Sequence, residues 1–203
     1  PKLSIMQKKL ETDLKSFFTD DDEKLKWEQK SSSSILKTVV FDVTVRHNQA
    51  KNGTEGDYYV MNARDWVITI PELEDSFLMV KQWRHGEEAL SVEFPGGVID
   101  EGELPEVAAK RELQEETGYK ANSLIKLGSF NPNPALFSNH VHIFLATDLV
   151  KTGNQELDHD EFINCIKINK EDVIQGMGTK EFPHALMASA LALYFKQKKD
   201  CLS

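Results

Sequence analysis

Near the middle of this chain three glutamates, Glu112, Glu115 and Glu116, stand at helical spacing. The run that holds them, Pro105 to Thr117, reads as a helix: Pro105 suits a first turn and Gly118 the cap beyond the last. At about 100° per residue, Glu116 falls about 40° to one side of Glu112 and Glu115 about 60° to the other, so three carboxylates share one arc. Lys110, Gln114, Thr117 and Glu106 take the opposite side, and the apolar residues split between two flanks, Ala109 with Leu113 and Leu104 with Val107. Such a helix has no single wide apolar stripe to bury, so one polar face is expected to meet solvent and the other to line a cleft. Three carboxylates this close repel, and their pKa values rise unless a cation sits among them. Hard oxygen ligands with no His or Cys beside them favour Mg²⁺ or Mn²⁺ over Zn²⁺. Plain solvation also produces acidic helix faces, and Arg111 with Glu115 has the i, i+4 spacing of a surface pair. The surrounding spacing decides between the two.

From Gly97, five residues lead to Glu103, seven more to Arg111, and the run continues Arg111-Glu112-Leu113-Gln114-Glu115-Glu116-Thr117-Gly118-Tyr119. This resembles the Nudix box, and all seven fixed positions match. At background usage the chance of that is on the order of one in 10⁸ per window. The departure is Tyr119, where an aliphatic residue is standard. The resemblance implies a loop–helix–loop that holds divalent cations for hydrolysis of a diphosphate linked to a further moiety. By position in the motif, Glu112 and Glu116 are the principal metal ligands, Glu115 a third or a contact to metal-bound water, and the backbone carbonyl of Gly96 a further ligand. Arg111 and Glu103 match positions that brace the loop against the helix.

Outside the box, Ser34 to Leu149 resembles the ADP-ribose pyrophosphatase branch of that family. The stretches are Asp57-Tyr58-Tyr59-Val60 with Asp65-Trp66-Val67, Val80-Lys81-Gln82-Trp83-Arg84-His85-Gly86, and Glu93-Phe94-Pro95-Gly96-Gly97. The resemblance assigns Arg84 and Glu93 to the nucleotide sugar. Substrate choice in the branch is associated with a proline fifteen residues after the box, here Pro134, although Pro134-Ala135 stands where the branch shows Pro-Gly. In similar enzymes a glutamate in a loop beyond the box takes the proton from water. The matching acids are Glu156, Asp158, Asp160 and Glu161, of which Glu161, before a strand-like run, is the expected base, with Glu156 and Asp160 the alternatives. His140 and His142, at i, i+2 in another strand-like run, are expected to face a sheet rather than a metal.

The elements that must position these groups are legible in outline. Strand-like runs cover Ile35 to Val45, Asp57 to Met61, Trp66 to Ile70, Phe77 to Gln82, Leu124 to Phe130, His140 to Leu149 and Phe162 to Ile168. An apolar helix closes the chain, roughly His184 to Lys196, and Leu3, Met6, Leu10, Leu14 and Phe17 mark an amphipathic N-terminal helix. Ser31-Ser32-Ser33-Ser34 reads as a hinge between that arm and the strands beyond it. The expected fold is α+β, an α/β/α sandwich of Nudix type with a mixed sheet between helices. The expected domains are 1–62, a helical arm with a small accessory sheet, and 63–203, the hydrolase. The arm resembles the region through which the branch forms homodimers, where a partner's aromatic residues clamp the base; Tyr58, Tyr59 and Trp66 are the candidates.

Composition narrows the function further. With 24 Lys and Arg against 33 Asp and Glu the net charge is −9, which opposes binding to a nucleic-acid backbone. At 40% hydrophobic and 28% charged residues the chain is too apolar for global disorder. Two cysteines cannot form a disulfide framework, and no apolar run suits a signal or a membrane span, so the cytoplasm is the expected compartment. The acids are concentrated: Glu93 to Glu116 holds eight against two bases, and Glu156 to Glu161 holds four against no Lys or Arg. The expected activity is Mg²⁺-dependent hydrolysis of ADP-ribose or a related nucleoside-diphosphate sugar. The alternatives are diadenosine polyphosphates or modified nucleoside triphosphates as substrates, or a non-catalytic nucleotide-sugar sensor.

Overall fold

The structure is a computed structural model that describes residues 17–202. Most of the expected N-terminal helix therefore lies outside the described residues; Phe17, within them, precedes a 3-10 turn at Asp20–Leu25. The chain forms two compact units, 17–37 with 42–60, and 38–41 with 61–202.

The first unit is built on a sheet of order β1-β2-β3, with β1 at Trp27–Lys37, β2 at Phe41–Ala50 and β3 at Glu55–Ala63. Here the reading of Ser31 to Ser34 as a hinge is overturned. These serines lie inside β1 and pair antiparallel with His47, Arg46, Val45 and Thr44 of β2. Strand pairing uses backbone N–H and C=O groups, which serine supplies as well as any residue, so low complexity did not mean a break. The expected single strand Ile35 to Val45 is two strands. Thr38 turns the chain between them: its Oγ1 accepts the Phe41 N–H at 2.9 Å and donates to the Phe41 carbonyl. A hydroxyl turn of this kind is hidden among the β-branched residues Thr38-Val39-Val40.

In the second unit, β4 (Trp66–Pro71) runs parallel to β8 (Val141–Lys151), which pairs antiparallel with β7 (Tyr119–Phe130), making a mixed sheet of order β4-β8-β7. Alternation along these strands assigns their two faces. Val67, Phe144 and Leu124 pack with Ala108 and Ala109 of helix α1 (Pro105–Thr117). Ile68, Ile70, Val141, Ile143 and Leu145 face the other way, onto Leu186, Met187, Ala190, Leu191 and Tyr194 of helix α3 (Ala185–Leu202). The helices thus cover opposite faces of one sheet, the sandwich expected. A strand buried on both faces reads as a continuous apolar run, as Val67-Ile68-Thr69-Ile70 does. An antiparallel sheet of order β6-β5-β9, with β5 at Ser76–Arg84, β6 at Ala89–Glu93 and β9 at Asn164–Asn169, adds Phe77 and Met79 to the larger core. The strand expected at Phe162 begins instead at Asn164, and Phe162 is 84% exposed. Strand β6 and the short helix α2 (Lys170–Gly176) were not anticipated.

One carboxylate ties this unit together behind the sheet. Glu72, just after β4, accepts from Lys170 Nζ at 2.8 Å, Lys198 Nζ at 2.7 Å and the Tyr194 hydroxyl at 2.6 Å, joining α2 and α3 to the end of β4. Burial alone would raise its pKa, but these three donors outweigh burial and hold it below the usual carboxylate range. The stabilisation is therefore full above the ordinary carboxylate pKa and is lost as pH falls through the depressed value. Glu72→Gln is expected to cost about 1–3 kcal/mol at neutral pH, and the difference from wild type should shrink in urea unfolding near pH 3. An equal cost at both pH values would show that the charge contributes nothing.

Candidate active site

The site begins with a close approach of loop and helix. Pro95 and Gly97 carbonyls accept the backbone N–H groups of Thr69 and Val67, both at 2.9 Å, which lays the loop along β4. A Cβ on Gly96 would collide with the Val67 carbonyl oxygen, and one on Gly97 would meet the Glu112 carboxyl group at 2.5 Å. At Gly96 only glycine fits against the backbone, and at Gly97 any side chain would have to displace the Glu112 carboxyl group, so the loop backbone reaches the acids of α1. Gly96 N–H donates to Glu116 Oε2 at 2.8 Å. At the far end of the helix, Gly118 adopts a left-handed conformation with φ 72° and turns the chain directly into β7.

Arg111 braces the loop, as the resemblance implies. Its Nε and Nη2 donate to the two oxygens of Glu103 at 3.0 and 2.8 Å, and Nη2 also reaches the Val98 carbonyl at 3.1 Å. Its Nη1 donates to Glu112 Oε1 at 2.7 Å and to Glu115 Oε2 at 3.0 Å. The i, i+4 pair is real, but it is one arm of a network rather than an isolated surface contact.

The acids on the inner arc respond to their confinement. Glu116 is 3% exposed. Burial first, then the charges of Glu112 and Glu161, push its pKa up to about 8 against the opposing Gly96 hydrogen bond. Burial also raises Glu112, the Arg111 contact resisting and the charges of Glu115 and Glu161 adding to it. Glu161 therefore lies within electrostatic reach of both, although forty-five residues separate it from Glu116. Its side chain accepts the Asp158 N–H at 3.2 Å while its own N–H donates to the Asp158 carbonyl at 3.0 Å, a reciprocal turn that orients the carboxylate.

Whether these residues suit a divalent cation can be judged from the donors themselves. Among the described residues no three acidic, His or Cys groups converge at metal-binding distance, and Arg111 holds two of the glutamates. The chemistry of the set nonetheless fits a hard cation: the oxygens are carboxylates, and the buried one is costly to ionise without a positive charge beside it.

A cleft of about 500 Å³ opens against the same two glycines. Its polar lining is Arg84, His85, Glu87, Ser91, Glu93 and His184, with Trp66 and Met187 among the apolar walls. Arg84 and Glu93 form a two-pronged pair, Nε to Oε1 at 2.8 Å and Nη2 to Oε2 at 2.5 Å. Burial would raise Glu93, but Arg84 overcomes it and the pKa is lowered. So Arg84, Glu93 and Gly96 share one cleft, with Glu112 and Glu116 directly behind Gly96 and Gly97. Pro134 is not part of that lining. It lies in a turn in which Asn133 Oδ1 accepts the Ala135 N–H and Asn133 O accepts the Leu136 N–H. His140 and His142 are held by Asp65, the first through its backbone N–H and the second through its ring at 2.9 Å. Trp66 lies near Phe137 with ring centroids 6.5 Å apart, and Tyr58 meets Trp27 edge-on at 5.4 Å. Several cleft residues escaped the sequence reading, among them Ser91 and His184. Ser91 was legible in principle, since it shares the Glu93 face two residues along a strand. His184 comes from the start of α3, and no local pattern announces it.

The sequence profile of the NUDIX domain matches residues 61–184. The chain belongs to the Nudix family. Among curated relatives of this Nudix hydrolase, the ADP-ribose pyrophosphatase of Bacillus subtilis (strain 168) is 33% identical over 85% of this chain and 93% of its own. The methanol dehydrogenase activator of Bacillus methanolicus is 30% identical over 90% of this chain and 96% of its own. A crystal structure of an ADP compounds hydrolase aligns with a TM-score of 0.77 at 27% identity, covering 86% of this chain and 95% of that one. Nudix hydrolases generally work with a divalent metal, in keeping with the donor set on α1.

A carboxylic acid whose pKa is raised on folding weighs against the fold once it is ionised in the unfolded chain, increasingly as pH climbs from the ordinary carboxylate range to about 8, where the penalty levels off. Glu116→Gln keeps an oxygen for the Gly96 N–H and removes the charge. In chelator-treated protein it is expected to raise Tm by several degrees at pH 8, at about 2–4 °C per kcal/mol for a chain of this size. The gain should vanish near pH 5. A lower Tm at pH 8 would contradict the strain assigned to Glu116.

Proposed function

We propose that this Nudix hydrolase cuts the diphosphate of ADP-ribose or a related nucleoside-diphosphate sugar, giving a nucleoside monophosphate and a sugar phosphate. The observation that carries the reading is that Glu112 and Glu116 stand behind Gly96 and Gly97, within electrostatic reach of Glu161, at the edge of the cleft that contains the Arg84–Glu93 pair. The names of the B. subtilis relative and of the aligned crystal structure support a substrate built on ADP.

In this reading Glu112 and Glu116 hold Mg²⁺, or Mn²⁺, with Glu115 and the Gly96 carbonyl as further ligands. When bound, the cation neutralises the diphosphate, polarises the attacked phosphorus and acidifies a water. Glu161 would take the proton from the attacking water as general base, its carboxylate aimed by the Asp158 N–H. Arg84 and Glu93 bind the nucleotide sugar: Glu93 locks the guanidinium, which keeps its orientation before substrate arrives and loses less freedom on binding. Glu115 bridges the two functions, since Arg111 holds its side chain while its backbone carbonyl accepts the Glu156 N–H. Pro134 enters only as the rigid corner of its loop. The first unit leaves Trp27, Ile35, Leu36, Tyr58 and Tyr59 exposed, apolar surface that supports a homodimer; light scattering of the purified chain reads its mass directly. The free Cys165 is consistent with a reducing cytoplasm.

The decisive measurement is a substrate panel with Mg²⁺, comparing ADP-ribose, GDP-mannose, diadenosine polyphosphates and modified dNTPs by kcat/KM. ADP-ribose is expected to lead. Preference for the polyphosphates would replace the substrate, and binding of ADP-ribose without turnover of any member would make the chain a sensor. Within the enzyme reading, Glu161→Gln should lower kcat by about 10²–10⁴-fold, the usual contribution of a general base. Glu116→Gln should lose most activity at low Mg²⁺. Near-normal turnover in the first, or unchanged metal dependence in the second, would move those assignments elsewhere.

A further inference from the structure

The segment carrying Glu161 joins β8 to β9 through residues 152–163, with no regular secondary structure of its own. A reactive carboxylate on such a segment is only as well placed as the segment's ends are fixed. One side chain fixes both. Gln155 Nε2 donates to the backbone oxygen of Glu116 at 2.6 Å and to that of Ile163 at 3.1 Å. The first bond reaches the last turn of α1, whose final carbonyls have no partner within the helix. The second closes the loop on itself across Glu161. Ile163 is 7% exposed, so this end of the loop is seated in the protein interior.

Backbone contacts support the same junction. Glu156 N–H donates to the Glu115 carbonyl and Thr152 N–H to the Gly118 carbonyl, both at 2.9 Å. A Cβ on Gly118 would stand 2.5 Å from the Gly153 oxygen, so the strand end and the helix end touch there through backbone alone. Beyond Glu156, however, the chain leaves α1, and the Gln155–Ile163 bond joins the outgoing and returning ends of the loop. A primary amide suits the task because a single nitrogen carries two N–H donors, and here both are spent on carbonyls.

We propose that Gln155 is a positioning residue for hydrolysis: its amide staples the Glu161 loop to the last turn of α1 and so sets the spacing between the base and the acids of that helix. The proposal rests on the assignment of Glu161 as the base. Gln155 acts through Glu161, so its loss should slow the proton transfer and leave substrate affinity alone. A misplacement of about 1 Å in a reacting group is enough for a loss of about 10²-fold.

The test is a double-mutant cycle on the full chain with Mg²⁺ and ADP-ribose, using Q155M, Q155A, E161Q and the combined variants. Q155M keeps the length of the side chain and removes both donors, so it reports on the bonds even if Q155A proves unstable; circular dichroism confirms the fold of each. Q155M is expected to lower kcat about 10–100-fold with KM within about twofold of wild type. In the E161Q background Q155M should cost no further turnover, because the group it positions is already disabled. Independent, multiplying losses in the combined variant would overturn the coupling, as would wild-type kcat in Q155M. Slow E161Q with normal Q155M removes only the role of Gln155. Normal E161Q removes the base assignment and this proposal with it.

Discussion

Glu116 keeps a carboxylate inside the protein with a backbone N–H as its hydrogen-bond partner. An isolated buried charge is among the most expensive things a fold can hold, and here, with no cation beside it, the acid avoids that cost by keeping its proton up to about pH 8. Much of the second unit can be understood as what is required to keep that group where it is. Two glycines bring the loop backbone to the helix, and Ala108 and Ala109, both fully buried, let the helix lie close to β4 and β8. A side chain at Gly96 would push the loop off β4, one at Gly97 would displace the Glu112 carboxyl group, and larger residues at Ala108 or Ala109 would lift the helix from the sheet.

The sandwich provides the stiffness for this arrangement. Because β4 and β8 bury both faces, α1 and α3 press on the same strands from opposite sides, and α1 is held by the core rather than by its own weak amphipathicity. The cleft inherits the rigidity. Arg84 and Glu93 come from paired strands β5 and β6; register sets Glu93 opposite Val80, so the two-pronged contact runs diagonally along the pair and ties its two ends together before any ligand arrives.

What could be read from the sequence divides along a physical line. Helix α1, its caps and its arc of acids follow from spacing within a dozen residues, and they were legible. The outline of the sheets followed from β-branched runs, and failed where backbone chemistry overrode composition: Ser31 to Ser34 in a strand, and Thr38 closing a turn inside an apolar run. Placing Glu161 beside α1 needed a family resemblance, since the two are brought together by β7, β8 and the loop after them. Gln155 and His184 left no local signal at all. Each matters through what the fold brings to it, a pair of carbonyls in one case and an Arg–Glu pair in the other.

Arg111 has a consequence for the order of events in the life of the chain. A guanidinium does not lose its proton under any condition the protein meets, and this one contacts Glu103, Glu112 and Glu115 at once. It is a permanent internal counterion. The helix and its loop can therefore assemble without an external cation to hold the like charges together, unlike small domains whose folding waits for their metal. In the proposed reading the working ion is a visitor to a finished structure, and its supply would set activity without deciding whether the enzyme is folded.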